Sequence, residues 1–473
     1  MVPDRLLPLV DETRPLAERF ERAGKRLYLV GGSVRDAILG RDLAEVDLDF
    51  TTDARPDGIE KIVSGWADAV WTQGKRFGTI GCSKSGRAYE ITTHRAEAYH
   101  PDSRKPDVEF ADAVEPDLSR RDFTVNAMAL VLPELELVDP FGGVADLGAR
   151  RLRTPLAPEE SFTDDPLRML RAARFIAGFG LVPDSDLVTA VRALRSRLEI
   201  VSAERLRDEL DKLLVVDEPG KGLWFLVETG LAEAFLPELP ALALEQDPIQ
   251  RHKDVLAHTI AVVERANLPD PGDREPGAGP ARHDKVLRLA ALLHDIGKPK
   301  TRSFGRNGVS FHHHEVVGAR MAEERMRALR YPVTEIAEVR RLVELHLRFH
   351  GYGTGWTDSA VRRYANDAGP LLARLNALTR ADCTTRNEAK ARALAERMDK
   401  LEERIAVLRE QEEIESIRPD LDGNQIMEHL GIGPGRAVGE ARNFLLELRL
   451  EDGPMSDEDA YRRLDDWWAS RSG

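Results

Sequence analysis

The sequence predicts an α+β protein in which a mixed α/β head is followed by all-helical regions. Three observations lead to this fold class. Residues 27–50 follow the pattern strand, tight turn, helix, loop, strand, and further strand signals continue to residue 130. From about residue 150 the strand signals stop and helical periodicity takes over. With 473 residues the chain is long enough for about three domains, each with its own core.

The first two strands and the helix between them are predicted from LYLVGGSVRDAILGRDLAEVDLDF at residues 27–50. Leu27 to Val30 is a short apolar run that two glycines end. Ser33 can cap a helix from about Val34 to Leu39, and Gly40 ends that helix. The second strand begins near Val46.

Two carboxylates lie on one face of this second strand. Asp47 and Asp49 alternate with Leu48 and Phe50, and the period of two separates the acidic face from the apolar face. Neighbouring carboxylates repel each other, and a divalent cation removes that repulsion. Mg²⁺ takes one or two carboxylates together with waters and substrate phosphates. The strand therefore favours a magnesium site.

The turn before the helix is suited to an anion. Gly31 and Gly32 let backbone amides approach a phosphate closely, the helix directs its positive end towards it, and Arg35 adds a charge. Either feature alone is more often an ordinary turn or an edge strand. Their occurrence within about twenty residues favours a site for a nucleoside triphosphate and its metal.

The composition is that of a soluble globular protein, with 42% apolar and 32% charged residues. An apolar run of the roughly 20 residues that span a membrane does not occur, and the first ten residues lack a signal peptide's apolar core. The two cysteines, Cys82 and Cys383, are far apart in sequence, so we expect reduced thiols and a cytoplasmic protein. A net charge of -14 argues against a protein that coats nucleic acid, but a local basic face can still bind RNA.

The next segment supplies a third candidate carboxylate. Residues 78–100 predict two strands around a turn at Ser83 to Gly86, with the second strand containing Tyr89 to Thr93. Glu90 on that strand can face the aspartate pair, although a single strand glutamate is more often solvated. The polar segment from 100 to 107 is predicted to be a mobile loop.

The pattern Gly-Gly-x-Val-Arg-Asp followed by Asp-x-Asp resembles the signature of the DNA polymerase β-type nucleotidyltransferases. This version is similar to that of the class II tRNA nucleotidyltransferases, or CCA-adding enzymes, and of the bacterial poly(A) polymerases. The resemblance implies a DNA polymerase β-like catalytic head. Asp47 and Asp49 would hold Mg²⁺ there, with Glu90 beside them.

A second motif follows at residues 119–130, SRRDFTVNAMAL. Considered alone, it is either a helix start with basic neighbours or a contact to phosphate and ribose. In the second case Arg121 donates to the triphosphate, and Asp122 or Asn126 binds sugar hydroxyls. Its similarity to the second motif of the family favours the functional interpretation. DPFGG at 139–143 resembles the third motif and is expected to be a structural hinge.

The helix within residues 161–181 contains a ladder of charged residues. Thr163 or Asp164 can cap it, and the ladder recurs every three residues at Asp165, Arg168, Arg171 and Arg174. Three residues advance a helix by 300°, so Asp165 and Arg168 are neighbours whereas Arg174 points elsewhere. An adjacent carboxylate and guanidinium can recognise cytosine and adenine, because both bases present an amino group to the carboxylate.

An ordinary surface ion pair is the alternative for Asp165 and Arg168. The resemblance favours base recognition, because Asp-Asp-x-x-Arg is similar to the family's nucleotide-recognising Glu-Asp-x-x-Arg, with Asp164 where the family usually has Glu. Arg171 and Arg174 would contact phosphates or orient the pair. Residues 203–214 predict an amphipathic helix, and their Glu-Arg-x-x-x-Glu resembles a family motif that braces the recognition helix.

A second cluster of chemical groups begins near residue 252. Imidazoles combined with carboxylates suit a transition metal. The pattern His, His-Asp, His, Asp resembles the HD phosphohydrolase superfamily, with His346 nearby. The resemblance implies a metal held by His258, His294, Asp295, one histidine of 312–314, for which we take His314, and Asp382. The alternative is a helical HD domain with a degenerate site. Residues 269–280 are expected to be a flexible insertion.

The last part of the chain is predicted to be helical. Leu394, Met398, Leu401, Ile405 and Leu408 form a short heptad seam that we expect to pack within the tail. The Gly-rich segment 430–438 is expected to be a turn between helices, with RNA contact as an alternative. The predicted domains are a catalytic head at 1–150, a helical neck at 151–240, an HD domain at 241–385 and a tail at 386–473, a candidate tRNA contact.

The resemblance implies addition of C, C and A to the 3′ end of tRNA from CTP and ATP, with Mg²⁺ as cofactor. Three alternatives are a poly(A) polymerase, an enzyme that adds only CC or only A, and a metal phosphohydrolase acting through the HD site. The choice between C and A would depend on the loop at 100–107. We expect neither DNA nor membrane as a partner, and the oligomeric state is left open.

Overall fold

The computed structural model describes residues 7–41, 48–98, 107–244, 254–268, 283–305, 308–351, 355–383, 388–412 and 418–471. The chain divides into two compact units, Met1–Pro237 and Glu238–Gly473. The first unit contains strands and helices in alternation, and the second is almost entirely helical. The predicted α+β class is confirmed. The four predicted domains and the three boundaries between them stay a prediction.

The first unit contains the following elements. Its helices are α1 (Leu7–Arg22), α2 (Gly32–Leu39), α3 (Pro56–Val63), α4 (Val114–Ser119), α5 (Gly143–Gly148), α6 (Pro158–Asp164), α7 (Leu167–Phe179), α8 (Ser185–Leu194), α9 (Ala203–Leu214), α10 (Gly220–Glu228) and α11 (Leu231–Phe235). Its strands are β1 (Leu27–Val30), β2 (Leu48–Thr52), β3 (Ala69–Trp71), β4 (Thr79–Lys84), β5 (Arg87–Thr93), β6 (Arg95–Ala98), β7 (Asp107–Phe110), β8 (Ala129–Leu132), β9 (Leu137–Val138), β10 (Arg151–Leu152) and β11 (Val182–Pro183).

Within the described residues the head is built on a seven-stranded sheet with the order β3-β4-β5-β2-β1-β8-β9. Strands β2 and β5 run parallel, and the other neighbours in this sheet are antiparallel. One face packs on α1 and α3, where Phe20 and Ile59 meet Leu29, Phe50 and Ile91 in a shared apolar core. The other face of β2 and β5 is therefore available for polar side chains.

The elements around the first turn agree with the sequence with one correction. The turn between β4 and β5 lies at Ser85 and Gly86, as predicted, and Gly40 ends α2 in the left-handed conformation. The prediction that Ser33 caps this helix is wrong, because α2 begins at Gly32 with Gly31 as its N-cap and no side-chain cap. Ser33 lies inside the first turn and is buried.

Within the described residues, the α-helices of the second unit are α12 (Val255–Arg265), α13 (Lys285–Leu293), α14 (Lys298–Thr301), α15 (His314–Ala328), α16 (Val333–Leu345), α17 (Asp358–Ala368), α18 (Leu372–Asp382), α19 (Glu388–Glu412), α20 (Gly423–Leu430), α21 (Arg436–Asp452) and α22 (Asp457–Ser470).

 Helix α14 is a single turn of four residues. Two short strands, β12 (Ser303–Gly305) and β13 (Gly308–Ser310), form a hairpin between α14 and α15.

The heptad seam on α19 packs differently from the prediction. Met398, Leu401, Ile405 and Leu408 are buried, and α19 lies against α17 and α18 rather than against the later helices. Arg380 on α18 adds ion pairs to Asp399 at 2.7 Å and Glu402 at 2.6 Å. The seam therefore stabilises the HD region, and the expectation of packing within the tail is wrong.

The last three helices form a small core of their own, with Leu445 and Leu464 at its centre. The Gly-rich segment is the predicted turn, because α20 ends at Leu430 and α21 begins at Arg436. The predicted insertion at 269–280 and the tip of the loop at 100–107 lie outside the described residues. Among the described helices, none is both long enough and apolar enough to cross a membrane.

Candidate active site

Two candidate catalytic carboxylates lie side by side on the open face of the sheet. Asp49 on β2 and Glu90 on β5 are register partners on neighbouring parallel strands. Both are exposed, whereas the residues before and after each of them are buried. Partnered residues on neighbouring strands point to the same face, so this arrangement offers adjacent oxygens to a cation. Asp47 lies outside the described residues.

The turn at Gly31 brings the backbone close to a guanidinium and a carboxylate. Gly31 has φ 75° and ψ −133°, a conformation that residues with a Cβ rarely adopt. A Cβ at Gly31 would lie 2.8 Å from Nη1 of Arg121 and 4.0 Å from Oδ2 of Asp49. The glycine therefore allows the backbone, Arg121 and Asp49 to converge at the start of α2. Gly32 follows in the first turn, where a Cβ would be 3.5 Å from Nη2 of Arg35.

Asp117 holds the two consecutive arginines of the second motif. It is buried, and its oxygens accept hydrogen bonds from Arg120 Nη2 at 2.9 Å and from Arg121 Nη2 at 3.3 Å. Burial alone would raise the pKa of Asp117, but the two guanidinium groups more than offset it and lower the pKa. The sequence analysis missed this residue. The available signal was an acidic residue three and four positions before a pair of arginines.

Arg35 is oriented inside the protein. Its guanidinium donates to Asn126 Oδ1 at 2.7 Å and to both carboxylate oxygens of Asp36, at 3.1 and 2.8 Å. It also lies 4.1 Å from the ring centroid of Phe179 on α7. Arg35 is buried by these contacts, so it connects α2 to α7 and positions Asn126. These contacts favour a positioning role for Arg35, and its predicted contact with the triphosphate stays a prediction.

Asp122 and Asn126 belong to the same hydrogen-bonded network. Asp122 Oδ1 accepts from Asn126 Nδ2 at 2.9 Å, and its Oδ2 accepts from Arg171 Nε at 2.8 Å. Burial alone would raise the pKa of Asp122, but the Arg171 guanidinium and the Asn126 hydrogen bond hold it well below its usual range. In this structure both Asp122 oxygens face protein donors, so Asp122 fixes the turn that follows Arg121.

Helix α7 begins after a break at Asp165, which separates it from α6. Asp165 Oδ1 accepts from the backbone N–H of Leu167 at 3.2 Å, and its Oδ2 accepts from Arg205 Nη2 at 2.9 Å. The predicted caps Thr163 and Asp164 instead end α6. Asp165 therefore lies in the break between α6 and α7, and its ion-pair partner comes from α9.

Arg168 is buried against backbone and hydroxyl oxygens. Its Nη1 donates to Ser161 Oγ at 2.9 Å, and its Nη2 donates to the backbone carbonyl of Arg120. The backbone N–H of Arg168 is bonded to the Asp165 carbonyl at 3.0 Å, so the two residues are neighbours as the ladder predicts. Arg168 thus connects α7 to the second motif.

Arg171 and Arg174 face protein carboxylates. Arg174 Nε donates to Glu209 Oε2 at 2.9 Å, and Arg171 Nη1 lies 3.8 Å from the other oxygen of Glu209. Glu209 is buried on α9, which agrees with a bracing role for the Glu-Arg-x-x-x-Glu segment. The geometry favours the orienting alternative for both arginines over direct contact with phosphates.

The third motif is structural in its contacts. Asp139 accepts from the backbone N–H groups of Gly143 at 2.7 Å and Val144 at 3.0 Å, which caps α5. A Cβ on Gly143 would lie 2.2 Å from the carbonyl oxygen of Thr124, so glycine allows α5 to pack on the second motif. Asp146 accepts from Thr124 Oγ1 at 2.6 Å. The motif therefore fixes the loop that contains Asn126.

A separate cluster of imidazoles and carboxylates lies in the second unit. The cluster contains two groups of candidate ligands, and within each group the donor atoms lie within 4.8 Å of one another. The first group contains His258, His294 and Asp382, and the second contains Asp295, His314 and His346. Of the three consecutive histidines, His314 is buried in this cluster whereas His312 and His313 are exposed. His346 is the ligand candidate that the predicted set omitted, although the sequence places it nearby.

The histidines are oriented for metal binding by their backbone contacts. Nδ1 of His294, His314 and His346 lies 2.8, 2.8 and 2.7 Å from a backbone carbonyl oxygen and must donate to it. Their Nε2 atoms are buried and make no hydrogen bond of good geometry within the described residues, although those of His294 and His314 lie 3.2 and 3.3 Å from Asp295. Nε2 lone pairs that converge on buried carboxylates fit a divalent transition metal.

Two pKa shifts agree with this arrangement. Burial and the neighbouring His294 lower the pKa of His346 to about 3, so this imidazole is neutral near pH 7. Burial would raise the pKa of Asp295, but His294 and Lys298 more than offset it and lower it well below its usual range. A neutral imidazole and an ionised carboxylate are the protonation states that bind metal.

Comparison with known families assigns three regions of the chain. Residues 27–153 match the poly A polymerase head domain. Residues 180–242 match the family described as the probable RNA and SrmB-binding site of polymerase A. Residues 255–409 match the HD domain. The three matches follow the order of the predicted head, neck and HD regions.

Curated relatives are CCA-adding enzymes. The chain is 38% identical to that of Bacillus velezensis over 230 residues, which are 48% of this chain and 55% of the relative. It is 40% identical to that of Levilactobacillus brevis over 221 residues, which are 46% of this chain and 53% of the relative. The chain therefore spans about half the length of the curated relatives it matches.

Solved structures of the same kind share the fold over almost the whole chain. The Bacillus stearothermophilus CCA-adding enzyme in complex with CTP has a TM-score of 0.67 at 22% identity, covering 100% of this chain and 99% of the other. The Thermotoga maritima CCA-adding enzyme complexed with tRNA has a TM-score of 0.59 at 20% identity, covering 99% and 96%. At these identities the likeness shows the fold alone.

Fold and domain content together define a nucleotidyltransferase-type head followed by helical regions and an HD domain. The predicted resemblance to the class II CCA-adding enzymes and the bacterial poly(A) polymerases is confirmed.

Proposed function

We propose that this protein adds C, C and A to the 3′ end of tRNA, using CTP and ATP and releasing pyrophosphate. The observation that carries the proposal is the convergence of Asp49, Glu90, Gly31 and Arg121 at one end of the head sheet. The curated relatives, which are CCA-adding enzymes, support the choice of reaction. The same proposal includes a cytoplasmic location, which agrees with the observation that neither Cys82 nor Cys383 is in a disulfide.

The carboxylates would hold the metal. Asp49 and Glu90 offer adjacent oxygens that repel each other without a cation, and Mg²⁺ suits such a set. The sequence prediction adds Asp47 as a third group. When bound, Mg²⁺ activates the 3′ hydroxyl and neutralises charge on the leaving pyrophosphate. The backbone at Gly31 and Gly32 and the Arg121 guanidinium would bind the triphosphate at the positive end of α2.

Base selection is assigned to Asp165 and Arg168. The Asp165 side chain is partly exposed and accepts from Arg205, so a base amino group can compete for the same oxygen. Arg168 is fixed by Ser161 and the Arg120 carbonyl, and its backbone N–H is bonded to the Asp165 carbonyl, so the two residues are neighbours. Asp122, Arg171, Arg174 and Glu209 would position this pair without touching the nucleotide.

Pyrophosphate release tests which nucleotides are used. The purified protein is mixed with Mg²⁺, tRNA that ends before CCA, and each of CTP, ATP, UTP or GTP in turn. We expect release with CTP alone, and with ATP once the tRNA ends in CC. Release with ATP alone on an unstructured RNA would support a poly(A) polymerase instead. Release with UTP or GTP would contradict base selection by Asp165 and Arg168.

We also propose that the HD centre binds a divalent transition metal and hydrolyses phosphate esters. The buried Nε2 atoms of His294, His314 and His346 favour this second function. Loading the protein with Mn²⁺, Co²⁺ or Ni²⁺ and assaying bis(p-nitrophenyl) phosphate tests it. We expect hydrolysis that His294→Ala abolishes and Asp49→Ala leaves intact. Hydrolysis that is absent with every metal, or that survives His294→Ala, would contradict it.

A further inference from the structure

An exposed tryptophan lies in the same cross-strand row as the candidate catalytic carboxylates. Asp49 pairs with Glu90, Glu90 with Gly81, and Gly81 with Trp71. Register partners point to the same face, so the row crosses β2, β5, β4 and β3 on the open face of the sheet. Trp71 is 37% exposed, so part of its indole ring is accessible to a ligand.

Gly81 is the residue that gives the indole its position. A Cβ on Gly81 would lie 1.8 Å from Nε1 and 2.2 Å from Cε2 of Trp71, so the indole covers this glycine. The backbone of Gly81 is not in the left-handed region, so glycine is not required there for its conformation. Its place in the sheet is therefore explained by the room it leaves for the indole.

The indole lies on the opposite side of the carboxylates from the proposed triphosphate site. Gly31 follows β1, which borders β2 on one side, whereas β5, β4 and β3 follow on the other. With strands about 4.8 Å apart, Gly81 is two strands, or roughly 10 Å, from Asp49. The nucleotide that donates the 3′ hydroxyl must approach Asp49 from the side away from the triphosphate, because the leaving pyrophosphate occupies the other side.

The connection from β3 to β4 adds further groups of the same type. Phe77 is 40% exposed, and the Arg76 guanidinium carbon lies 4.5 Å from its ring centroid. Exposed aromatic rings interleaved with arginine are typical of surfaces that bind single-stranded nucleic acid. Val70, which precedes Trp71 on β3, pairs with Cys82 and so points to the face of the sheet opposite Trp71.

We propose that Trp71 is a stacking platform for an unpaired base of the RNA substrate, just upstream of its 3′-terminal nucleotide. This inference rests on the proposed nucleotidyl transfer. Stacking would hold the RNA end in line with Asp49 and Glu90 without reading its sequence, because every base has a π-face. Trp71 is thus a binding residue for RNA, distinct from the groups that hold the incoming nucleotide.

Steady-state kinetics separate RNA binding from nucleotide binding. Trp71→Ala is compared with Trp71→Phe and with Val70→Ala, which trims the same edge strand on the opposite face. We expect Trp71→Ala to raise the KM for tRNA on the order of tenfold, with the KM for CTP and the kcat within about twofold of wild type. Trp71→Phe should recover most of the RNA affinity, and Val70→Ala should resemble wild type. Equal KM values for tRNA in wild type and Trp71→Ala would overturn the inference.

Fluorescence provides a test that does not depend on transfer. A short single-stranded RNA is titrated into wild type and into Trp71→Phe, the variant that preserves the aromatic packing on Gly81. We expect the RNA to quench the tryptophan fluorescence of the wild type more strongly than that of Trp71→Phe. The difference is the contribution of Trp71. Identical quenching would overturn the stacking proposal. If the wild type transfers no nucleotide but is still quenched more than Trp71→Phe, the proposed function would be overturned and the stacking proposal would stand.

Discussion

Asp49 and Glu90 are adjacent acidic residues whose proposed task is to hold a cation. Replacing Asp49 with Ala removes one of the two carboxylates. Because the bound cation supplies several kcal/mol of transition-state stabilisation, we expect kcat to fall roughly 1000-fold. Glu90→Ala should also reduce kcat, with circular dichroism unchanged because both side chains are exposed. Initial rates of CTP incorporation measure the effect. Wild-type rates in Asp49→Ala would remove this residue from the mechanism.

Asp122 is predicted to stabilise the fold through its ion pair with Arg171. Asp122→Asn leaves the guanidinium without its closest counter-charge, which should cost about 3 kcal/mol in the free energy of unfolding at pH 7. The pKa of Asp122 is lowered in the folded state, so its contribution is complete above the unfolded pKa of about 4 and is lost as the pH falls below it. Urea titrations between pH 3 and pH 8 should show the difference from wild type constant above about pH 5 and smaller below about pH 4. A difference that grows on acidification would contradict this assignment.

His346 is predicted to bind metal together with Asp295 and His314. His346→Ala removes one nitrogen ligand, so the affinity for the transition metal should fall at least about tenfold. The variant should therefore retain less metal after dialysis than the wild type. His313→Ala is a matched control, because His313 is 84% exposed and lies next to a proposed ligand. Metal content by elemental analysis distinguishes the two variants. Equal metal content in wild type and His346→Ala would exclude His346 as a ligand.

The turn between β1 and α2 shows how one glycine serves the proposed site. Gly31→Ala meets two penalties, the left-handed φ and the collision with Arg121 Nη1, whereas Gly24→Ala meets only the first, because a Cβ there has open space around it. The positive φ alone should cost each variant about 1 kcal/mol in the free energy of unfolding. Only Gly31→Ala should also raise the KM for CTP, by on the order of tenfold, because Arg121 is displaced from the triphosphate site. Equal KM values in the two variants would indicate that the turn is structural only.

Elements whose signal is local were predictable from the sequence. The strand at Leu27–Val30, the β4–β5 hairpin and the end of α2 follow from apolar periodicity and turn residues, and the structure has them. Residue partners far apart in sequence were not predictable. Arg171 meets Asp122 across 49 residues, and that contact favours the orienting alternative for Arg171 over the phosphate contact.

The same limit applies to Arg35 and to the pair Asp165 and Arg168. The sequence shows which side chains carry charge, but tertiary packing decides which charges face protein groups. Phe179 and Asn126 enclose Arg35, and Arg205 reaches Asp165 from α9. The burial of His346 beside His314 likewise depends on the end of α16 meeting the start of α15. Helix periodicity alone does not predict these contacts between side chains on different elements.

At the scale of the molecule, the two compact units contain separate chemical clusters. The proposed transfer site lies in the first unit, and the HD cluster lies in the second. Each cluster offers its own type of donor atom, with carboxylate oxygens in the head and imidazole nitrogens beside carboxylates in the HD region. Substitutions in one cluster should therefore leave the other activity intact, as Asp49→Ala and His294→Ala are designed to show.

The sequence of the product is the most direct test of the central claim. Wild-type protein is incubated with Mg²⁺, CTP and ATP together and tRNA lacking its CCA end, and the new 3′ ends are sequenced. We predict that transcripts gain C, C and A in that order and then stop, and that Asp49→Ala adds nothing. Tracts of A, addition that ends at CC, or addition to unstructured RNA at the same rate would contradict the claim that this chain builds CCA on tRNA.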